Sequence, residues 1–263
     1  SQDCISPSTR RYRCEGYHEC VGVFEQEFER MEREEGTPGY NPYFIIDIDE
    51  RSFLECFENS GDKLLMLSWK SYDHVSLSSL IKMPSTAHGT AASEFSIIVR
   101  DWLRQSGAHI TISTSKSVRG STKTKVADFA WMPYDLPPGR SMKWPTVAGE
   151  VVVTQSRRGL TQAMKFWLDE PESEVRVAIS ITASKRKVLV ERWVRRPNGP
   201  TSPDQWMGIV RNPRKNCPRI SGYLSINFSD IMLRPRGNGQ TDFVLTPQAL
   251  DDLAKVIWRD FLG

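Results

Sequence analysis

The sequence predicts an α/β domain with a mixed central β-sheet flanked by helices and extended at its N-terminus. Two observations carry this. Between residues 87 and 194 the patterns run helix, strand, strand, strand, helix, strand, strand. Within that order, Val147-Ala148-Gly149-Glu150-Val151-Val152-Val153 is apolar at every position but one, the signature of a strand buried on both faces.

The elements follow in order. Glu25–Glu35 is nearly all Glu, Arg, Phe and Met and reads as a short surface helix, ended by Gly36-Thr37-Pro38-Gly39. Tyr43–Ile48 reads as a strand, with a helical stretch from Asp49 to Cys56 and a short apolar run at Leu64–Trp69. Residues 1–75 are taken as an extension that packs on the core, and 76–263 as the principal domain. Phe95, Ile98, Val99, Trp102 and Leu103 recur at helical spacing within Ala87–Gln105. His109–Ser115 alternates like a half-buried strand. A basic turn leads into Lys125–Trp131, and a Pro/Gly loop then leads into the Glu150 strand. Leu160, Met164, Trp167 and Leu168 give one apolar helix face. Val175–Ile181 and Val188–Val194 read as a strand pair joined at Lys185. The chain is Pro-rich from Arg196 to Ile220, and Tyr223–Phe228 reads as a late strand. Thr246 caps the last helix with Pro247 at its first position.

Composition fits a globular protein, with 39% hydrophobic and 25% charged residues among 263. No apolar run approaches the roughly 20 residues that cross a bilayer, and Ser1–Pro7 lacks a signal-peptide core. Five cysteines at scattered spacing argue against a disulfide framework and for an intracellular protein of cytoplasm or nucleus. Cys14, His18 and Cys20, with Cys4, lack the Cys-x-x-Cys spacing of a zinc site.

Chemistry concentrates on two acids, Asp128 and Glu150. A carboxylate inside an apolar strand run is costly unless something positive meets it. Two of them on runs able to pair side by side suggest a shared partner, and a hard divalent cation suits paired carboxylates. The other reading is that each acid pairs with a local Lys or Arg. The net charge of +3 is only mildly basic. Yet Lys116, Arg119, Lys123 and Lys125 crowd one stretch without an acid, and Arg157 and Arg158 follow the Glu150 strand. Such clusters either track a phosphate backbone or are solvated loops.

Several phrases carry a resemblance: Leu80-Ile81-Lys82-Met83-Pro84-Ser85 with His88 after it, Asp128-Phe129-Ala130-Trp131-Met132-Pro133, Leu136-Pro137-Pro138-Gly139-Arg140-Ser141, Trp144-Pro145-Thr146-Val147 and Glu150-Val151. With Phe243-Val244-Leu245-Thr246, they span roughly residues 75–260. On them the chain resembles the PD-(D/E)XK nuclease superfamily, of restriction-endonuclease-like fold, and more narrowly a group of uncharacterised fungal proteins within it. The resemblance implies hydrolysis of phosphodiester bonds in DNA or RNA. It implies Mg²⁺ or Mn²⁺ held by Asp128, Glu150 and the Val151 carbonyl, with the basic residues above on the nucleic acid. Homodimers are common in this fold.

Three departures stand beside it. The superfamily's lysine two residues past the Glu is Val152, so Gln155 or Lys165 is expected to assist instead. Ala127 replaces the Pro before Asp128. The first helix opens His88-Gly89 where His-Glu is usual, and His88 reads as a capping or packing residue. Two alternatives therefore stay open. One is an inactive nuclease-fold module that binds nucleic acid or protein. The other is a different enzyme on the same scaffold, with Trp131, Tyr134 and Trp144 lining a pocket for a small organic substrate.

Overall fold

The computed structural model describes residues 9–35, 37, 39–153, 157–196, 201–215 and 217–261. In chain order the first elements are β1 (Arg10–Arg13), α1 (Tyr17–Glu34), β2 (Tyr43–Asp47), α2 (Glu50–Phe53), which runs on as a π-turn over Leu54–Glu58, α3 (Lys63–Ser68), β3 (Trp69–Asp73) and β4 (Ser78–Lys82). There follow α4 (Thr86–Gln105), β5 (Ile110–Ser113), β6 (Ser117–Arg119), β7 (Lys123–Val126), β8 (Phe129–Pro133), β9 (Val147–Val152) and α5 (Arg157–Asp169). The chain ends with β10 (Val177–Ala183), β11 (Lys187–Trp193), β12 (Pro203–Val210), β13 (Ile220–Tyr223), β14 (Ser225–Ile226), α6 (Phe228–Met232), β15 (Phe243–Val244) and α7 (Pro247–Asp260).

The chain divides into two compact units. One takes residues 1–85 and 117–126, the other 86–116 and 127–263. The first unit has a six-stranded sheet in the order β1-β2-β4-β3-β7-β6, with β1 parallel to β2 and the other pairs antiparallel. It carries its own core of Phe24, Phe44, Ile46, Phe53, Phe57, Trp69, Tyr72 and Ile81. Cys14, Cys20 and Cys56 are free thiols buried in that core, while His18 is exposed. A hydrogen bond with Cys14, helped by burial, pushes the Cys20 thiol far above its ordinary value.

Helix α1 begins eight residues earlier than the Glu-rich stretch suggests, and one of its acids is not on the surface. Glu27 is fully buried and takes hydrogen bonds from Arg10, Tyr12 and Arg30.

The second unit is built on a seven-stranded mixed sheet, β13-β12-β11-β10-β9-β8-β5, in which β9 and β10 are parallel and the rest antiparallel. Side chains alternate between its faces. Phe129, Trp131, Val147, Val151, Ile179, Ile181 and Val190 pack on one face with Phe95 and Val99 of α4 and Leu250, Leu253 and Ile257 of α7. Helix α5 links the parallel strands β9 and β10 and packs on both. Its buried stripe is Leu160, Ala163, Met164, Trp167 and Leu168. The order α4, β5, β8, β9, α5, β10 is the helix–three strands–helix–strand core that the restriction-endonuclease-like resemblance implies. Thr246 caps α7 as expected, accepting from the Ala249 amide at 3.1 Å, with Pro247 at the first position.

Two expectations are corrected here. Lys125–Trp131 is not one strand, because β7 and β8 belong to different sheets and Asp128 lies in the bend between them. Nor is Tyr223–Phe228 one strand, because Tyr223 ends β13, Ser225 and Ile226 form β14, and Phe228 opens α6. The Pro-rich stretch between Arg196 and Ile220 carries structure of its own. It holds the eight-residue strand β12, whose Pro203 stands at the strand's first position, where a missing N–H is tolerated.

Candidate active site

Asp128 is held by its own backbone and side chain around Glu150. Its amide donates to the Gly149 carbonyl at 2.9 Å, and its Oδ2 accepts from the Val151 amide at 2.7 Å. The antiparallel register Phe129↔Gly149, Ala130↔Ala148, Trp131↔Val147 begins just after Asp128, whose two bonds reach the residues on either side of Glu150. Each acid is only 5% exposed. His88, from the first turn of α4, places Nε2 at 2.9 Å from Asp128 Oδ2.

Glu150 sits mid-strand in β9, and its Oε1 accepts from the Trp167 indole at 2.6 Å. Trp167 is fully buried on the inner stripe of α5. A buried indole has one donor to satisfy, so a Trp facing a strand acid is a readable signal. In the sequence Trp167 passes as one more apolar residue, and His88 as a cap. Replacing Trp167 by Phe keeps an aromatic ring but removes that donor and part of the indole's volume. The expected loss is about 1–3 kcal/mol in urea unfolding. An unchanged midpoint would mean that the indole contact carries no net stability.

A second acid network runs beside the first. The register carries Glu150 to Ser180 on β10, and Ser180 to Glu191 on β11. Ser180 Oγ donates to Glu191 Oε2 at 3.1 Å and accepts from the Trp193 indole at 3.0 Å. Arg157 Nη1 bonds the same Glu191 oxygen, and its guanidinium carbon lies 4.9 Å from the centre of the Trp193 ring.

The remaining expected site residues fall as follows. Val152 is buried at the place of the superfamily lysine, on the same face as Glu150. Lys165 lies on the exposed side of α5, away from the stripe that meets the sheet, so its place on the helix does not bring it to the acids. Gln155 lies outside the described residues.

The basic cluster is divided between the units. Lys116 donates to the Met142 carbonyl at 3.1 Å in the second. Arg119 pairs with Glu50 at 2.7 Å and Lys123 with Asp73 at 3.4 Å in the first, where Lys125 stands opposite Ser71. Arg158 is exposed at the start of α5. Arg157 is tied to Glu191, which was not foreseen.

Trp131 stacks on Phe95 and Phe129, and Trp144 packs against Phe166 and Trp167, both inside the fold, while Tyr134 is exposed. The three rings therefore do not line one cavity. An open cleft of about 640 Å³ lies elsewhere, lined by Arg140, Arg176, Asp230, Leu233, Arg234 and Arg236 among others. Arg140 bonds the carbonyls of Trp144, Pro145 and Glu174, which precede β9 and β10, so that cleft is not where the acids are.

No protein-family model matches the chain, and no curated protein does. Among solved structures the chain is similar to a candidate nuclease of DUF820 from Anabaena variabilis. The identity is 14%, over 72% of this chain and 90% of that one, with a TM-score of 0.42.

Among the described residues, no group of three or more His, Cys, Asp or Glu side chains is arranged to hold a metal ion. Asp128, Glu150 and the Val151 carbonyl would together offer oxygen donors alone. That chemistry suits Mg²⁺ or Mn²⁺. Also among the described residues, no helix is long and apolar enough to cross a membrane.

Proposed function

We propose that the chain is a nuclease-like hydrolase of phosphodiester bonds in nucleic acid. One observation carries this. Asp128, in the bend before β8, bonds the two residues on either side of Glu150, which sits mid-strand in β9, and the sheet has the helix–three strands–helix–strand order that the resemblance implies. The narrower likeness to the fungal group rests on the sequence phrases alone.

Asp128, Glu150 and the Val151 carbonyl would hold the divalent ion. When bound, such an ion polarises a phosphate and lowers the pKa of a coordinated water. The chain's own residues supply the rest. The Val151 amide and His88 fix the Asp128 carboxylate, and Trp167 fixes Glu150, so neither acid has to reorganise to meet its ligand. Arg158 and the residues Lys116, Arg119, Lys123 and Lys125 are proposed to meet phosphates. Arg157 would do so with the nitrogens not engaged by Glu191.

Asp128→Ala is expected to lower Mg²⁺- or Mn²⁺-stimulated cleavage of DNA or RNA by about 100-fold or more. Asp128→Asn is the control that keeps an acceptor for the Val151 amide. If wild type cleaves nothing across a broad metal screen, or Asp128→Ala cleaves as well as wild type, the hydrolytic reading is wrong.

One observation favours a second reading. Val152 is packed at 3% exposure where the superfamily has its lysine, which suits a binding module that has lost turnover. Calorimetric titration with Mn²⁺ separates the two. Binding that disappears in Asp128→Ala supports the hydrolase, and no heat with wild type supports the module.

A further inference from the structure

The row that begins at Glu150 does not end at Glu191. The register continues from Glu191 to Trp206 on β12, and from Trp206 to Tyr223 on β13. Partners across a ladder lie on the same face. One face of the sheet thus presents Glu150, Ser180, Glu191, Trp206 and Tyr223 in a single line. Strands lie about 4.8 Å apart. Trp206 therefore stands roughly 14 Å from Glu150 across the sheet, and Tyr223 roughly 19 Å.

The two ends of the row differ in burial. Glu150 is 5% exposed, whereas Trp206 is 46% and Tyr223 56% exposed. Single exposed aromatics are ordinary, but two facing each other on neighbouring strands form a patch. Between them and Glu150 stands Arg157, its side chain 53% exposed while one nitrogen holds Glu191.

The backbone also fixes the Trp206 ring. Gly222, at φ +87°, lies beneath it, and a Cβ there would stand 2.3 Å from the Trp206 carbonyl oxygen and 2.7 Å from its ring. The ring is seated against bare backbone on one side and open to solvent on the other.

We infer that Trp206 and Tyr223 form a stacking platform for the bases of a single nucleic-acid strand, continuous with the acid site through the Arg157 guanidinium. This rests on the nucleic-acid reading above and narrows it to unpaired strands. Three features on the row match such a ligand. Exposed aromatic faces accept any base, an exposed cation meets its phosphates, and the row leads to Glu150 of the candidate site. A paired duplex hides its base faces and gains nothing from the two rings.

The test is binding in EDTA, where no cleavage occurs, at one fixed ionic strength because phosphate contacts are salt-dependent. The probes are a short fluorescein-labelled oligothymidylate and an abasic strand of equal length, read by anisotropy. Wild type is expected to bind the abasic strand about 5- to 150-fold more weakly, the equivalent of about 1–3 kcal/mol for one stacked base. Trp206→Ala and Tyr223→Ala should each shrink that preference, and Trp206→Phe should restore part of it. Their affinity for the abasic strand should stay that of wild type.

Equal binding of both strands by wild type overturns the inference. So does an undiminished preference in Trp206→Ala and Tyr223→Ala, or wild type binding neither strand. The wild-type comparison needs no variant to fold. Cleavage is judged separately. Base-dependent binding by a protein that never cleaves leaves the platform standing and removes only the hydrolysis.

Discussion

Glu27→Ala is expected to destabilise the first unit by about 3–5 kcal/mol, the cost of removing one partner from a buried ion pair. Glu27 is fully buried and binds three side chains. Oε1 takes Arg10 Nε at 2.6 Å and the Tyr12 hydroxyl, and Oε2 takes Arg10 Nη2 at 2.9 Å and Arg30 Nε at 3.0 Å. Arg10 and Arg30 also converge on the Asn41 carbonyl, so they remain in place when the carboxylate is gone. Two guanidiniums then face each other without their shared counter-charge. Urea unfolding reads the loss. A change under about 1 kcal/mol would show that water replaces the carboxylate at little cost.

The same residue sets a pH dependence. Burial alone would raise the Glu27 pKa, but the hydrogen bonds from Arg10, Tyr12 and Arg30 outweigh it and hold the group below the ordinary carboxylate range. A carboxylate lowered in the folded state contributes stability that is fully present above its unfolded pKa of about 4.3. That contribution is lost as pH falls through the lower folded value. The stability difference between wild type and Glu27→Gln should therefore be flat from neutral pH down to about pH 5 and shrink below it. A difference that does not change in acid would contradict the assignment.

Gly149→Ala should cost about 3 kcal/mol, near the top of the range for overpacking. Gly149 faces Phe129 in register, and a methyl added there would stand 2.0 Å from Phe129 Cζ and within 2.3 Å of two neighbouring ring atoms. The ring has little room to retreat, since it stacks on Trp131 at 5.3 Å and meets Phe95 at 5.8 Å. Combining Gly149→Ala with Phe129→Leu should recover part of the loss, a coupling of about 0.5–3 kcal/mol. Strict additivity of the two substitutions would show that the clash is not between them. Because Gly149 precedes Glu150, the variant would also displace the acid, and any cleavage should fall with stability.

The second unit was the more legible part of the chain. The helical spacing of Phe95, Val99 and Leu103 and the run of valines around Glu150 mark elements whose burial pattern is periodic along the chain. Thr246-Pro247 marks a helix start by local chemistry alone. Strand β12 was hidden because Pro203 and Gly208 break its pattern, and only its pairing with β11 explains them. Glu27 was hidden for a related reason. Its charge reads as surface until Arg10 and Arg30, 17 residues before it and 3 after, are seen around it.

At the candidate site the two acids stood out because a carboxylate among valines is costly. Their supports did not. The contact from His88 to Asp128 crosses forty residues and that from Trp167 to Glu150 crosses 17, and neither has a local signature. The division of the basic stretch was equally invisible, because Lys116 and Arg119 are neighbours in sequence but belong to different units.

The chain passes from one unit to the other at residues 85–86, returns at 116–117 and leaves again at 126–127. Neither half can be excised at a single cut. A fragment beginning at residue 86 would carry the β6–β7 hairpin with no β3 to receive it, and its counterpart ending at 85 would leave the β3 edge bare and prone to self-association. Asp128 follows the last of these passages by two residues. Dissecting this molecule therefore calls for internal excision of the hairpin with a bridging linker, and the proposed metal ligand would sit beside the splice.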